Sequence, residues 1–284
     1  MEQYYEIAGL RLKLTCPDAL LSEGDGVLKL FRTQPGQWEH HVTFSAVDTL
    51  PQPEGEPVHT EAARWIYRRG ETQIRYEGAL QRSLEGAYLR LERTGRETLA
   101  QVKKSAIPYG ITSKLLLIAL EAEHLIAASG GIMLHAAWIE YKGKAIVFTA
   151  PSGTGKSTQA QLWQEHRGAF QRNGDRAAIY PMKETVEVRG IPFCGSSGIT
   201  YNTTVPLAAV VYLNQSPTTV ITPLRGVAAF RALWEGCSVN VWNDGDLAQC
   251  TQTLTEIVTR VPVFHLACTP DETAVIALEK EGIL

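Results

Sequence analysis

Apolar and polar residues alternate along the first third of the chain, in segments that also hold β-branched and aromatic residues. Breaks rich in Gly and Pro separate these segments, so the pattern predicts a series of β-strands. Residues 64–69 and 72–77 are joined by Gly70-Glu71, which predicts a hairpin with glycine in the first position of a type II′ turn. Further strands are predicted at residues 7–14, 41–47 and 88–91, and an exposed loop at residues 50–57.

No motif in this β-rich region carries chemistry. The region either recognises a substrate or assembles with a partner, or it covers the core of a second domain, and the pattern leaves these interpretations open. After Pro108 and Gly110 the period changes, because apolar residues recur at helical spacing over residues 113–129. We therefore predict a β-rich domain over residues 1–110 and a second domain over residues 111–284.

The second domain is predicted to alternate strands with helices. Residues 132–141 and 144–149 flank Lys142-Gly143, which predicts a two-residue hairpin turn. Strand and helix patterns then alternate, which is typical of an α/β fold. Later strands are predicted at residues 186–193, 208–213, 219–222 and 263–267, and helices at residues 156–166, 227–234, 246–260 and 270–280.

A glycine-rich stretch follows this hairpin and reads Ala150-Pro151-Ser152-Gly153-Thr154-Gly155-Lys156-Ser157-Thr158. It has the spacing of a P-loop, with alanine in the first position, where glycine is usual. Gly153 and Gly155 allow backbone N–H groups to curl around a polyphosphate, and the next helix adds the N–H groups of its first turn. Lys156 is predicted to reach the β- and γ-phosphates of ATP, and Ser157 to bind Mg²⁺. The residues predicted to bind ATP are Pro151, Ser152, Gly153, Thr154, Gly155, Lys156, Ser157 and Thr158.

His135 is predicted to lie beside the mouth of this loop. If Lys142-Gly143 forms the hairpin turn, Tyr141 pairs with Lys144, and the ladder places His135 opposite Ala150. A histidine at that position can donate or accept a proton near the γ-phosphate. The alternative is a strand histidine that bonds a backbone carbonyl and only packs.

Asp175 is the candidate Mg²⁺ ligand. The predicted helix carries the chain about 17 Å away from the loop, and an extended return through residues 169–174 covers about 20 Å back. A right-handed crossover to a parallel strand would then place Asp175 at the carboxyl edge of the sheet, where ligands bind. The alternative is a turn residue in Asn173-Gly174-Asp175. The apolar run that would suit the usual acidic motif, residues 207–213, ends in Asn214 without an acid.

A second loop of small residues reads Cys194-Gly195-Ser196-Ser197-Gly198. It could present N–H groups to an anion or to a substrate backbone. A plain turn explains it equally well, and we favour the plain turn slightly.

Composition limits the partners and the compartment. The net charge is −3 and the pI is about 6.2, so no basic field attracts nucleic acid or an anionic membrane, and we expect neither as a partner. Five scattered cysteines without a C-x-x-C pair are typical of a reducing compartment. We see no signal peptide at the amino terminus, and these features together predict a cytoplasmic protein.

The second domain resembles the HPr kinase and phosphoenolpyruvate-carboxykinase-like group of P-loop proteins. The resemblance rests on Leu134-His135-Ala136, on residues 150–158 and on Asn173-Gly174-Asp175-Arg176, and it covers roughly residues 111–284. It implies an α/β fold with a mixed-sheet P-loop kinase core, preceded here by the smaller β-rich domain. It also implies ATP and Mg²⁺ as cofactors. The catalytic residues that it implies are His135, Lys156 and Asp175, with Ser157 and Asp175 as metal ligands.

One position departs from that group, which has an acidic doublet where this chain has Gly174-Asp175. Either Asp175 alone handles metal and proton, or His135 is the base, or phosphoryl transfer is weak or lost. Phosphoryl transfer depends mainly on positioning and charge neutralisation, so the loss of one acid does not exclude catalysis. The chain also has no stretch that matches the signature near the carboxyl end of HPr kinases, which argues against a bifunctional HPr kinase/phosphorylase.

The leading hypothesis is therefore a kinase that transfers the γ-phosphate of ATP to a hydroxyl, with a serine of a peptide or small protein as the acceptor. One alternative is a regulatory or scaffolding protein that binds ATP without productive transfer. Another is a kinase for a small molecule. Self-association into a homo-oligomer is left open.

Overall fold

Two mixed β-sheets and six α-helices make up the described part of the chain. The computed structural model describes residues 1–20, 26–61, 63–78, 83–107 and 111–283. Pro108 and Gly110, after which the pattern changes, lie outside these residues. Two compact units divide the chain, Met1–Ala122 and Glu123–Leu284. Within the described ranges, no helix is both long and apolar enough to cross a membrane.

The first unit contains an eight-stranded sheet in the order β1-β2-β3-β8-β7-β6-β5-β4. Strand β3 pairs in parallel with β2 and β8, and the other neighbours are antiparallel. Apolar side chains from alternate positions form its core, in agreement with the period-2 pattern. The strands are β1 (Glu2–Ile7), β2 (Leu10–Thr15), β3 (His40–Val47), β4 (Glu56–Glu61), β5 (Arg64–Arg69), β6 (Thr72–Gly78), β7 (Ala87–Thr94) and β8 (Glu97–Lys103).

The hairpin predicted around Gly70-Glu71 is confirmed, since β5 pairs with β6 and Gly70 has a φ of 60°. The single strand predicted at residues 7–14 is wrong. Ala8 and Gly9 have φ values of 53° and 83°, so the chain turns there and forms β1 and β2. The predicted loop at residues 50–57 ends earlier, because β4 includes Pro57; a proline is tolerated there since β4 lies at the sheet edge.

One helix predicted over residues 113–129 is instead two, α1 (Ser113–Ala119) and α2 (Ala122–Ala128). Glu121 separates them with a φ of 49°, a left-handed conformation that ends a helix. Its fully buried carboxylate accepts hydrogen bonds from Gln73 and Arg93. These hydrogen bonds stabilise a left-handed backbone conformation that the helical period does not predict.

The second unit contains a nine-stranded sheet in the order β10-β9-β12-β13-β14-β17-β15, with β11 and β16 also paired to β9 and with β10 also paired to β14. Strands β10, β14 and β17 run parallel. The strands are β9 (Ile132–Tyr141), β10 (Lys144–Thr149), β11 (Phe170–Asn173), β12 (Arg176–Pro181), β13 (Val186–Arg189), β14 (Thr204–Gln215), β15 (Val220–Leu224), β16 (Cys237–Ser238) and β17 (Val263–Cys268). The helices are α3 (Lys156–Arg167), α4 (Gly226–Trp234), α5 (Asp244–Arg260) and α6 (Glu272–Lys280).

Helices cover this sheet on both faces. Ala145 and Val147 of β10 join an apolar cluster with residues of α4 and α5. Ile146 and Phe148 join a second cluster with residues of α3 and α6. A strand buried on both faces reads as a continuous apolar run, which is what the sequence shows at residues 145–148. The expectation of an α/β fold is met by this arrangement of a mixed sheet between helices.

The strand after α3 runs parallel to β10 but is not its neighbour in the sheet. Strand β11 pairs antiparallel with β9, which also pairs antiparallel with β10. Because β9 lies between them, β11 and β10 point the same way without being neighbours. The carboxyl end of β11 therefore still reaches the same edge of the sheet as the carboxyl end of β10.

Candidate functional site

The glycine-rich loop, residues 150–155, joins the carboxyl end of β10 to the first turn of α3. Gly153 and Gly155 have φ values of 79° and 111°, in a region that L side chains rarely adopt. Ala150 is buried in the apolar cluster that includes Phe148, so a methyl group is accommodated at the first position. The loop thus has the backbone conformation for which its two glycines are required.

Helix α3 begins at Lys156 without a side-chain cap, since Gly155 precedes it. The N–H groups of a first helical turn have no partner within the helix, and the helix dipole makes this end positive. Such a terminus is suited to an anion. Its N–H groups lie next to the glycine-rich loop.

Lys156 is buried, and its Nζ donates hydrogen bonds to the carbonyl oxygens of Ala150 at 3.0 Å and Pro151 at 3.2 Å. Burial lowers the pKa of this ammonium group, with Asp175 acting in the opposite direction and Arg176 adding to the shift. Both partners of the ammonium are neutral carbonyls of its own loop. A bound anion would supply the negative charge that these contacts lack.

His135 and Asp175 meet at the edge of the sheet. The hairpin register is confirmed, with Tyr141 opposite Lys144 and Ala136 opposite Thr149, so His135 lies level with Ala150. His135 Nε2 is 3.4 Å from Asp175 Oδ1. No described residue donates a hydrogen bond to the other oxygen, Oδ2, which is buried and lies 3.7 Å from Arg176 Nε.

The pKa of Asp175 lies below its ordinary value. Burial acts to raise it, but the contact with His135 and the charges of Arg176 and Lys156 together lower it. The carboxylate is therefore ionised at neutral pH. It brings a negative charge next to the positive end of α3.

Asn173 orients Asp175. This fully buried side chain accepts hydrogen bonds through Oδ1 from the backbone N–H groups of Asp175 at 2.8 Å and Arg176 at 2.9 Å. Its Nδ2 donates to Ile191 O, Phe193 O and Thr200 Oγ1. The turn expected at residues 173–175 is present, and it directs Asp175 toward the loop instead of leaving it at the surface.

These side chains line a polar cavity of about 320 Å³. The lining residues are His135, Ser152, Gly153, Gly155, Lys156, Ser157, Thr158, Gly174, Asp175 and Ser196. Most of the predicted binding residues are among them. Pro151 and Thr154 are not, although both belong to the loop. Pro151 instead accepts hydrogen bonds from Thr154 and Lys156 through its carbonyl oxygen.

Sequence reasoning assigned no site role to Asn173, Gly174 or Ser196, although it named the first two as motif and turn residues and considered the loop of Ser196 as an anion site. Asn173 acts through buried hydrogen bonds that only the fold reveals. Ser196 belongs to the second small-residue loop, which the structure brings to the same cavity. The run of small residues was the available signal, and the structure shows why Gly195 belongs to it, since an added Cβ there would lie 3.0 Å from Asp175 Oδ1.

The cavity is better suited to a phosphate chain than to a metal ion whose ligands all come from protein side chains. Among the described residues, no group of three or more His, Cys, Asp or Glu side chains could hold a metal ion. A side chain at position 174 would require Ser197 to move, since an added Cβ would lie 2.1 Å from Ser197 Oγ and 2.6 Å from its Cβ. The donor set here is one carboxylate, Asp175, and one helix-terminal hydroxyl, Ser157. Mg²⁺ commonly takes one or two protein ligands together with phosphate oxygens, which is consistent with this set.

The fold and the site together define an α/β protein with a candidate anion-binding cavity between a helix terminus and a His–Asp pair. This chain belongs to the family of SynChlorMet cassette proteins ScmC, whose family model matches residues 111–273. That name states no activity. The matched region contains every residue that lines the polar cavity.

Comparison with other proteins adds little to this assignment. A search of curated proteins found no match to the chain. Among solved structures, the HPr(Ser) kinase/phosphatase from Coxiella burnetii is similar at 9% sequence identity, over 53% of this chain and 96% of that protein. The TM-score is 0.31, too low for this similarity to support an argument about fold or function.

Proposed function

We propose that this chain is an ATP- and Mg²⁺-dependent kinase that transfers the γ-phosphate to a hydroxyl, with a serine of a peptide or small protein as the acceptor. The observation that carries the proposal is the polar cavity, in which Lys156, Asp175 and His135 meet the N-terminus of α3. A buried cation, a partly buried anion and uncapped backbone N–H groups in one cavity are the parts that phosphoryl transfer needs for positioning and charge neutralisation.

The loop and Lys156 would hold the phosphates. Backbone N–H groups around Gly153 and Gly155 and at the start of α3 are hydrogen-bond donors, and Lys156 can exchange its carbonyl contacts for phosphate oxygens. ATP would supply the transferable phosphoryl group, and Mg²⁺, held by Ser157 and Asp175, would neutralise developing charge. The negative ligand raises the pKa of Lys156 again, which strengthens its hold on the phosphates.

Asp175 and His135 would act on the acceptor. Asp175 Oδ1 contacts His135, and Oδ2 is the oxygen without a described donor. We propose that the acceptor hydroxyl donates to this carboxylate. The Asp175–His135 pair would take up its proton as the acceptor oxygen bonds the γ-phosphorus, while the bond from that phosphorus to the bridging oxygen breaks and ADP leaves. Base catalysis of this kind contributes less than positioning in phosphoryl transfer, so one carboxylate is sufficient.

The test is transfer of label from γ-labelled ATP to a library of serine-containing peptides in the presence of Mg²⁺. We expect label on serine, and loss of both transfer and ATP binding in Lys156→Met. Lys144→Met, which removes an exposed lysine at the start of β10, is the matched control and keeps both. Label that appears only as free phosphate contradicts the proposal.

A second candidate function is ATP binding without transfer. The observation that favours it is Gly174, where a second carboxylate would require Ser197 to move. This candidate predicts that ATP binds through Lys156 but is recovered unchanged after incubation with peptides, small-molecule alcohols or the partner protein. Label on a small-molecule alcohol but on no peptide would instead support the small-molecule kinase.

A further inference from the structure

A second cavity adjoins the glycine-rich loop. Its volume is about 600 Å³, within the range of small-molecule sites. It shares Gly153, Gly155 and Thr158 with the polar cavity, so the two cavities meet along the loop and the first turn of α3. The polar cavity lies toward β9, and the second cavity lies toward β14, which pairs with the other edge of β10.

The second cavity lies at the carboxyl ends of parallel strands. Gln215 ends β14 and Cys268 ends β17, and both line it. Ligands of parallel sheets bind beyond these ends. A ligand whose phosphates occupy the loop, with the terminal phosphate near Asp175, would therefore extend its other end into this second cavity.

The walls combine apolar surfaces with one buried amide. Leu213, Pro217 and Pro270 provide flat apolar surface of the kind that a planar ring requires. Gln159, on α3, also lines the cavity and is only 3% exposed. Its Nε2 donates to Cys268 Sγ at 3.2 Å, whereas its buried Oε1 receives no hydrogen bond from any described residue. A buried amide oxygen without a donor is unfavourable, and a ligand can supply that donor.

From these features we infer that the second cavity, which we call the nucleoside cavity, binds the adenine base and the ribose of ATP, and that the Gln159 amide recognises the base. The inference rests on the proposed function for the identity of the nucleotide. A bidentate contact requires the amide to release Cys268 Sγ, so that Oε1 and Nε2 both face the cavity. An amide offers one donor and one acceptor in a plane, which matches the N6 amino group and N7 of adenine. Guanine presents two acceptors, O6 and N7, at the same edge.

Binding calorimetry with ATP, GTP and inorganic tripolyphosphate tests this inference without any catalytic step. We expect the wild-type protein to bind ATP about ten-fold more tightly than GTP or tripolyphosphate, the effect of one bidentate amide pair. Gln159→Leu should reduce the affinity for ATP to that for GTP, and leave tripolyphosphate binding unchanged. Gln161→Leu, which changes an exposed glutamine two residues further along α3, should alter none of the three.

Alkylation of Cys268 by iodoacetamide, followed by peptide mass spectrometry, gives a second readout on the unmodified sequence. ATP in the nucleoside cavity should slow the labelling of Cys268 several-fold, and tripolyphosphate should not. Cys16, in the first unit, serves as the reference thiol.

Equal affinity for the three ligands, or equal protection of Cys268 by ATP and tripolyphosphate, would overturn the inference. If the proposed kinase is wrong but the nucleoside cavity is right, ATP is still preferred through Gln159 while no label reaches a peptide. If the cavity is wrong but the kinase is right, peptides are labelled equally well from ATP and GTP.

Discussion

The two units bury charged side chains in different ways. In the first unit, Glu121 accepts hydrogen bonds from Gln73 and Arg93 and lies 3.6 Å from Arg75, so its charge is matched by neighbouring side chains. In the second unit, the Lys156 ammonium bonds only carbonyls of its own loop, and Asp175 Oδ2 receives no hydrogen bond from the described residues. Glu121 and Lys156 are both buried, and the second group of charges lines the polar cavity.

This difference separates a structural from a functional use of buried charge. A matched cluster holds the chain in place, and here it stabilises the left-handed Glu121 between α1 and α2. A buried ammonium without a charged hydrogen-bond partner, such as that of Lys156, costs stability, and such perturbed groups cluster at sites that a ligand completes. We therefore expect substitutions in the first unit to affect folding and those in the polar cavity to affect transfer.

The largest effect is expected from Asp175→Asn. The substitution keeps the shape of the side chain but removes the charge that holds Mg²⁺ and orients the acceptor, so phosphoryl transfer should fall about 1,000-fold. The free energy of unfolding should fall only slightly, because the substitution weakens only the contacts of this carboxylate with His135 and Arg176. Labelled-ATP kinetics and urea unfolding measure the two effects, with the exposed Asp244→Asn as control. A fall in transfer of less than ten-fold would show that Asp175 is not part of the catalytic machinery.

Glu121→Gln tests whether the charge cluster of the first unit contributes to folding stability. It removes the charge of a fully buried carboxylate that pairs with Arg93 and with the buried Arg75, and breaking a buried ion pair from one side costs about 3 kcal/mol. Urea unfolding of the first unit should detect this loss. Glu2→Gln, which breaks an exposed pair with Lys13, is the control and should leave the midpoint unchanged. A similar loss of unfolding free energy in Glu121→Gln and Glu2→Gln would mean that the buried ion pair stabilises the fold no more than the exposed one.

Asn173→Ala should lower both the free energy of unfolding and the rate of phosphoryl transfer. The variant removes a buried side chain that donates and accepts several hydrogen bonds, at a cost of about 2 kcal/mol in unfolding free energy. Because the same bonds orient Asp175, transfer should also fall, by about ten-fold. Asn214→Ala, at an exposed position, is the matched control for both measurements. Full transfer in the Asn173→Ala variant would show that Asp175 needs no such support.

The smallest effect concerns pH. The folded-state pKa of Asp175 is lowered, so its ionised form favours the folded protein. That contribution is complete above the unfolded pKa of about 3.9 and is lost as the pH falls through the lower folded value. The difference in unfolding free energy between wild type and Asp175→Asn should therefore stay constant from about pH 8 to pH 5 and shrink below about pH 4. Urea unfolding at several pH values measures this difference in unfolding free energy. A difference that grows as the pH falls would mean that the fold raises the pKa of Asp175.

The sequence alone predicted elements wherever the local pattern is strong. The hairpins around Gly70-Glu71 and Lys142-Gly143 form with the expected registers, and α3 begins at Lys156. Turn chemistry and helix signals act over a few residues, so they can be read without the fold. The register of the second hairpin also predicts the position of His135 level with Ala150. The catalytic roles of His135, Lys156 and Asp175 stay predictions.

Errors arose where long-range contacts override the pattern. The apolar period continues through Glu121, yet hydrogen bonds from Gln73 and Arg93 to its buried carboxylate hold that residue in a left-handed conformation and divide the helix. Spacing placed Asp175 at the edge of the sheet on the condition of a parallel strand after α3; β11 does run parallel to β10, but β9 lies between them, which spacing does not predict. Strand order depends on packing between distant segments, and no local pattern encodes it.

The local sequence thus determined the glycine-rich loop, the helix that follows it and the position of His135, because steric limits on φ and the strand period act between near neighbours. Only the tertiary structure decided which other groups reach that loop. Asn173 turns Asp175 toward it, Ser196 arrives from a loop about twenty residues later in the sequence, and Gln159 meets Cys268 across 109 positions. Those contacts exist because the sheet and its helices bury apolar surface together, and this burial brings distant residues to one edge.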